Sequence, residues 1–455
     1  MLSWLARCIF YPLWDKREGN LRLKTMRSLE ASQWRDGAAV AQDQWRHLRA
    51  MVHYAYAHCP HYRATFDAHG VTPEQVQTSD DLRRIPLLSK NEVQRNIEGL
   101  ISREFTRGNL VEARTGGSTG TSLTIYCDPP TRERRNGAAL RANRWAGWDL
   151  GERTAAIWGN PPVSDTPKKW LRNLLHDRTF YLDTMNLTES ALRTFASLCQ
   201  RYRPSLIFGH AHSIYIFARF LETARLPGIR PRAIISTSMT LLEPERALIE
   251  RVLGCAVTNR YGCEEVGLIA CECERHVGLH INAEHVFVEF LAPDGTYARP
   301  GEEAELVVTD LLNTGMPLIR YRVGDMGVRA DRRCECGRGL PLIERVTGRV
   351  ADFLIRQDGA LVAGVSLVER TLTAIPGLDQ MQIVQDAINH LTINVVPAPQ
   401  YTAESERRLR TEFASVFGPE ASVQVVLVSS LDQTASGKFR FSICNVREGH
   451  PAYGG

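Results

Sequence analysis

The sequence contains no apolar run approaching the roughly 18 residues that a bilayer-spanning helix needs. It has almost no charge bias either: 55 Lys and Arg stand against 51 Asp and Glu in 455 residues. The first lack excludes a transmembrane segment. The second, with basic residues spread along the chain, argues against nucleic acid as the main partner. Eleven cysteines are too few for a disulfide scaffold at this length, and their number is odd. Internal repeats and low-complexity linkers are missing, and the composition excludes disorder, collagen-like and coiled-coil architectures. A hydrophobic content of 44% and a charged content of 23% are those of an ordinary globular protein. The length suits two or three domains with a large core, and a homodimer is left open.

The start, from Met1 to Trp14, is apolar but interrupted by Arg7, and it lacks a cleavage site of small residues. It reads as a helix docked on its own protein, contact with a membrane surface being the other reading. The expected location is the cytoplasm.

The first ~100 residues read as helical, with an apolar stripe over 39–57 and a Ser89-Lys-Asn-Glu92 capping box. From about Val111 to Cys263, helical patterns alternate with short apolar runs such as Thr154–Trp158, Ser205–Phe208 and Arg232–Ser236. Strands separated by helices predict a mostly parallel sheet covered on both faces. From His280 to about Glu344 strands follow without helices. The last ~100 residues predict a small α+β unit: a helix after Ser366, strands near 381–384 and 391–395, a helix over 403–417 and a strand over 423–428. The boundary is placed near Gly348–Asp352. The fold class is therefore α/β: a large domain over 1–351, its strand-rich part at about 264–345, and a small C-terminal domain over 352–455.

The most informative short segment is Arg114-Thr-Gly-Gly-Ser-Thr-Gly-Thr-Ser122. Glycines free its backbone for close approach, hydroxyls add donors, and successive N–H groups can form an anion nest. It is not a Walker A loop, because no Gly-Lys-Ser/Thr follows. Leu123–Cys127 alternates like a strand, so the loop joins two strands. Alone, such a turn is a plain hairpin more often than a phosphate cradle. At Tyr261-Gly-Cys-Glu-Glu265, two carboxylates follow a strand end, where ligands bind in open α/β sheets. A carboxylate there can hold Mg²⁺ on a nucleotide phosphate. At Met316–Asp325, an Asp ends a strand after Gly324, placed to bind ribose hydroxyls, and Arg320 and Arg322 alternate on one face. Gly348-Arg349 precedes Asp352, and Gln433–Arg440 is a polar loop presenting Lys438.

In this order and spacing the set resembles the AMP-forming adenylating superfamily, and most of all the phenylacetate–CoA ligase-like proteins, including those encoded with capsule biosynthesis. The resemblance runs from Ile85-Pro-Leu-Leu-Ser-Lys90 to the Lys438 loop. It implies ATP-dependent activation of a carboxylic acid to an acyl-adenylate. Thr115, Gly116, Gly117, Ser118, Thr119, Gly120 and Thr121 would embrace the triphosphate. Glu265 would position Mg²⁺, Tyr261 and Gly262 would lie against the adenine, and Asp325 would bind the ribose. Arg349 would reach ribose or phosphate, and Asp352 would be a hinge. Lys438 would enter the site for adenylation, and Ser238 would belong to the adenine-side segment. A signature hydroxyl is replaced by Glu264, adding negative charge beside Glu265.

Candidate substrate-pocket residues are Trp158, Phe208, His210 and Met239, near the ends of the expected strands. Coenzyme A is the first acceptor expected; an amine, on an amino sugar or amino acid, is the alternative. A degenerate nucleotide- and zinc-binding protein is a third reading.

Six cysteines fall between Cys255 and Cys336, four of them as Cys271-Glu-Cys273 and Cys334-Glu-Cys336. Structural Zn²⁺ takes four tetrahedral S/N ligands. Some phenylacetate–CoA ligase-like proteins carry a zinc at matching positions, and the expected set is Cys273, His280, Cys334 and Cys336, with Cys271 and His276 as substitutes.

Overall fold

A computed structural model describes residues 2–114, 123–158, 166–184, 187–349, 353–358, 361–431 and 440–446. Helices open the chain. The long Gly37–His58 helix is capped by Asp36, whose carboxylate accepts from the Ala38 N–H at 2.8 Å. The Ser89 box forms in both directions: the Ser89 N–H donates to Glu92 Oε2 and the Glu92 N–H to Ser89 Oγ. A hairpin of β1 (Val111–Arg114) and β2 (Thr124–Cys127) follows, antiparallel with Arg114 opposite Thr124. Asp128 then caps the Pro129–Trp145 helix, accepting from the Thr131 N–H at 2.7 Å.

The main sheet has eleven strands in two halves. Its parallel half comprises β3 (Thr154–Trp158), β4 (Thr179–Asp183), β5 (Leu206–His210), β6 (Ala233–Thr237) and β7 (Val257–Cys263), in the order β4-β3-β5-β6-β7. The runs of β3, β5 and β6 are largely apolar and buried, as strands covered on both faces require. One face packs on the Glu189–Tyr202, Ala211–Thr223 and Glu243–Leu253 helices. The other meets Tyr11, Leu23, Met26 and Leu140 from the N-terminal and Pro129–Trp145 helices. Pro244 sits in the first turn of the Glu243–Leu253 helix.

After β7 the chain turns back and the sheet becomes antiparallel through β8 (Gly267–Glu272), β9 (Leu279–Ile281), β10 (Val286–Leu291), β11 (Glu303–Asp310), β12 (Tyr321–Arg329) and β13 (Leu342–Arg349). A second large core joins this half to the early helices, through Leu48, Phe66, Leu82 and Tyr321 among others.

The C-terminal part has a hairpin of β14 (Phe353–Ile355) and β15 (Leu361–Ala363), followed by the Gly364–Ala374 helix. A four-stranded sheet follows, in the order β18-β17-β16-β19, from β16 (Leu378–Ala387), β17 (His390–Pro397), β18 (Ser422–Leu427) and β19 (Ser442–Cys444). The Ala403–Phe417 helix lays Leu409, Phe413 and Phe417 into its core. That core also takes in Leu242 from the large part, and Met239 packs against it. Asp379 ion-pairs with Arg219 and accepts from Tyr215 Oη at 3.0 Å, tying β16 to the Ala211–Thr223 helix.

Two sequence expectations need correction. Arg320 does not share a strand face with Arg322. It precedes β12 with φ +51° and ion-pairs, buried, with Glu289 at 3.0 Å, whereas Arg322 pairs with Glu305 at 2.8 Å. Asp325 lies inside β12 rather than at its end, because the strand continues to Arg329.

Burial holds the His285 imidazole down at about 3, with Glu284 opposing. The unfolded chain binds that proton below about 6.5, while the folded chain does not until about 3. The stability that this residue contributes is therefore complete above pH 6.5 and lost progressively as the pH falls toward 3. In denaturant titrations, His285→Gln should flatten the fall of stability between pH 6 and 4 by up to about 1.4 kcal/mol per pH unit.

Candidate functional site

The reversal from β7 to β8 builds the centre of the site. A bulge falls between Tyr261 and Gly262, and a Cβ at Gly262 would lie 2.5 Å from the Gly267 carbonyl oxygen, so only glycine allows this approach. The bulge presents Tyr261, whose hydroxyl donates to Asp325 Oδ2 at 2.8 Å across to β12. Asp325 lies opposite Arg349 in the β12–β13 ladder. Three residues assigned to the nucleoside thus converge from β7, β12 and β13, although far apart in sequence.

Glu265 sits in the turn, half-buried, and its Oε1 accepts from the buried Tyr321 hydroxyl at 3.1 Å. Glu264 is exposed, so the two carboxylates of this turn have different surroundings. The turn is held by Arg135, from the Pro129–Trp145 helix, which donates to the Glu265 carbonyl at 2.8 Å and ion-pairs with Asp310 Oδ2 at 2.5 Å. Asp310 also accepts from the Leu312 N–H at 2.8 Å. Neither Arg135, Asp310 nor Tyr321 was singled out in the sequence. Arg135 is one of several arginines in an arginine-rich helix, where Arg141 also turns inward, and nothing local marks which of them do.

At the carboxyl ends of neighbouring parallel strands, Trp158 stacks on Phe208 with centroids 5.3 Å apart and tilts over His210 at 4.5 Å. The Arg260 guanidinium lies 4.9 Å from the centre of the Phe208 ring, and burial lowers its proton affinity. This wall of rings closes one side of the strand-end crevice. Ser238, just past β6, is left-handed at φ +66°. Met239 packs against the cores of both the large and the small part. Next to His210, the buried His212 imidazole bonds Glu245 through Nδ1 and receives the edge of the Phe441 ring at 5.4 Å. Thr115–Ser122, Asp352 and Lys438 lie outside the described residues, as does the Arg349 side chain.

The cysteine-rich segments meet on the antiparallel half. Ligand atoms of Cys273, His280, Cys334 and Cys336 all lie within 4.8 Å of one another. Cys273 Sγ is 3.7 Å from Cys334 Sγ, and Cys336 Sγ is 3.3 Å from His280 Nε2. An ion with zinc–sulfur bonds of about 2.3 Å in tetrahedral array needs sulfurs about 3.8 Å apart, so the spacing fits. His280 Nδ1 faces the Leu340 carbonyl at 3.4 Å, which aims Nε2 at the cluster, and burial holds the imidazole at about 4 and hence neutral at pH 7. Backbone N–H groups of Arg275 and Arg338 point at the Cys273 and Cys336 sulfurs at 3.5 and 3.4 Å. The Arg338 guanidinium is sandwiched between Trp34 and Trp145 and bonded to Glu274 at 2.9 Å. Neither substitute joins the group. Burial pushes the Cys271 thiol up to about 12, and His276 turns to Glu272 at 3.3 Å.

Residues 354–445 match the family of the CapK C-terminal domain. The chain is 24% identical to protein CapK of Staphylococcus aureus, over 81% of this chain and 82% of that protein. To phenylacetate-coenzyme A ligase of Thermus thermophilus it is 27% identical, over 73% and 75%. Among solved structures, 2-hydroxyisobutyryl-CoA ligase in its postadenylation state, in complex with an acyl-AMP, superposes with a TM-score of 0.72 at 17% identity, covering 88% of this chain and 89% of that one. The same enzyme in its thioesterification state gives 0.59 at 17% identity, covering 89% and 90%. The amide bond synthetase McbA from Marinactinospora thermotolerans gives 0.52 at 18% identity, covering 72% and 67%. The chain is thus related along most of its length to phenylacetate-coenzyme A ligases and CapK, and it has the fold of the AMP-forming ligases.

Removing the Asp310 carboxylate would leave the half-buried Arg135 without its counter-ion, held only by the Glu264 and Glu265 carbonyls, at a cost of up to about 3 kcal/mol, the low end for a broken buried pair. Asp310→Ala should lower the stability measured in denaturant by that amount, and should weaken the thermal shift given by Mg-ATP because the Glu265 turn loses its anchor.

Proposed function

We propose that this chain, a relative of the phenylacetate-coenzyme A ligases with their fold, activates a carboxylic acid with ATP and passes the acyl group to coenzyme A. The observation that carries this reading is the Tyr261–Asp325 hydrogen bond with Glu265 four residues on, at the end of the parallel sheet.

A carboxylate is a poor electrophile. In the first half-reaction its oxygen attacks the α-phosphorus of ATP, the α–β phosphoanhydride bond breaks, and pyrophosphate leaves. The in-line displacement builds charge on phosphoryl oxygens, so its catalysis is positioning and charge stabilisation. The Thr115–Ser122 loop, strung between β1 and β2, binds the triphosphate. Tyr261 lies against the adenine, while Asp325 and Arg349 hold the ribose. Mg²⁺, with Glu265 as its ligand, would neutralise charge on the phosphates. Lys438 adds a positive charge for this step alone, and the C-terminal part, from Asp352 on, then turns about that hinge. The better superposition on a postadenylation state than on a thioesterification state supports the first of these arrangements here. In the second half-reaction the coenzyme A sulfur attacks the acyl carbonyl and AMP departs. Trp158, Phe208 and His210 line the acid's pocket.

The likeness to an amide bond synthetase favours a second reading in which an amine takes the place of the thiol. Both share the adenylation step. The Cys273–His280–Cys334–Cys336 group is read as a structural Zn²⁺ site: four protein ligands leave no open position for catalysis, so the ion would staple β8–β9 to the 334–336 turn. Reduced thiols and ATP both suit a cytoplasmic enzyme.

Pyrophosphate release with Mg-ATP, measured over a panel of carboxylic acids with and without coenzyme A, should be stimulated by one acid and accelerated by coenzyme A. Release indifferent to coenzyme A would move the acceptor to an amine. Silence across the panel without an ATP-induced thermal shift would leave a degenerate binding protein. Lys438→Ala should lower the release at least 100-fold while the Mg-ATP thermal shift persists. Purified protein should also hold one zinc per chain by elemental analysis, and Cys336→Ser should lose it; a metal content well below one would reject the staple.

A further inference from the structure

Ten large apolar side chains stand exposed among the described residues, and six of them come from two short segments. Trp4, Ile9 and Leu13 belong to the helical stretch from Leu2 to Arg17; Trp170, Leu171 and Leu174 lie between Pro167 and Asp177. The segments are more than 150 residues apart in sequence, yet they abut. Tyr11 stacks on His176 with centroids 3.9 Å apart, and the Arg172 guanidinium lies 5.6 Å from the centre of the Trp14 ring. Ala6, Tyr11, Asp15 and His176 are buried, so the inner faces are taken up by the protein itself. A surface helix ordinarily turns polar residues outward. Here Trp4, Leu13 and Trp170 are 55%, 61% and 59% exposed, and clustered apolar exposure of this kind marks an interaction surface.

The charge of the same segments identifies the partner. Residues 2–20 and 166–178 contain seven Lys and Arg against three Asp and Glu, a surplus as large as the +4 of the entire chain. Two of those three acids are engaged locally: Asp15 is buried, and Asp177 pairs with Arg172 and His176. Of the seven bases, Arg178 is buried, Arg7 pairs with Asp149 and Arg172 with Asp177, so the exposed surplus comes from Lys16, Arg17, Lys168 and Lys169 against Glu18.

We propose that this face docks on an anionic phospholipid surface, with Trp4, Leu13 and Trp170 entering the boundary between headgroups and acyl chains. Tryptophan beside Lys and Arg is the composition that favours that boundary, and each Lys or Arg near an anionic leaflet tightens binding about fivefold. No helix among the described residues is long and apolar enough to cross a membrane, so the segments lie on the surface. A second copy of the chain is a poorer occupant, since a two-fold contact through this face would set its basic residues against themselves.

The test is flotation of the full chain with vesicles of phosphatidylcholine alone and of phosphatidylcholine mixed with phosphatidylglycerol. The chain should float with the anionic vesicles and be released by raised salt. The exposed triple variant Trp4→Ser/Leu13→Ser/Trp170→Ser should partition at least tenfold less, and so should Lys168→Glu/Lys169→Glu, both with the Mg-ATP thermal shift unchanged. Equal flotation on neutral and anionic vesicles, or none, would overturn the proposal, as would a triple variant that still floats. A triple variant that turns a dimer into a monomer in sedimentation, without vesicle binding by the parent, would give the face to a second copy and overturn it too.

Discussion

The ion pair of half-buried Arg135 with buried Asp310 underlies the candidate site. An ion pair largely removed from water needs its remaining donors and acceptors satisfied, and here, Arg135 Nε excepted, they are shared out among the elements that the site requires. Arg135 holds the carbonyls of the Glu264–Glu265 turn. Asp310, at the end of β11, takes N–H groups from Leu312 and Asn313. Asn313 in turn donates to the Tyr126 carbonyl of β2 and to the Met316 carbonyl, and Asp128 accepts from Thr314 at 3.0 Å. The hairpin that carries the Gly/Ser/Thr loop, the turn that carries Glu265 and the approach to β12 are therefore one polar network beneath a single helix.

The change of sheet direction at β7–β8 gives that network its function. Parallel strands leave their carboxyl ends open on one edge, where Trp158, Phe208 and His210 gather. The antiparallel return brings β12 and β13 alongside, which delivers Asp325 and the Arg349 backbone to Tyr261. Neither half alone assembles both the strand-end crevice and the Tyr261–Asp325 contact beside it. The Cys/His cluster lies on the return half, beside the short β9, and the Arg338 guanidinium wedged between two tryptophans lies next to it.

The small part meets the large one through a contact of mixed character. Leu242 and Met239 share its apolar core, while Asp379 reaches Arg219 and Tyr215. The buried His212–Glu245 pair stands between that contact and the ring wall at His210. A turn of the small part would have to separate Asp379 from Arg219 and lift Phe441 from His212, so the same side chains that hold this arrangement adjoin the ring wall of Trp158, Phe208 and His210.

What could be read from the chain alone was whatever depends on residue type at short spacing. The Ser89 box, the Pro244 helix start, the hairpin around the Gly/Ser/Thr loop and the 403–417 helix are local, because capping and periodicity act within a few residues. The Cys/His set expected from the paired spacing and the family resemblance is the set whose ligand atoms the fold brings together. The expected preference for Cys273 over Cys271 agrees with the fold: the β8–β9 register sets Cys271 directly opposite His280, while the ligand atoms that converge with those of the 334–336 turn include Cys273. Arg320 and Arg322 were misread, as their partners Glu289 and Glu305 come from two other strands. Arg135, Asp310 and Tyr321 carry no local mark, and the apolar start that includes Trp4 is marked in the sequence without any sign that it meets the Trp170 segment. Burial, pairing and exposure are properties of which distant segments meet, and only the tertiary structure decides that.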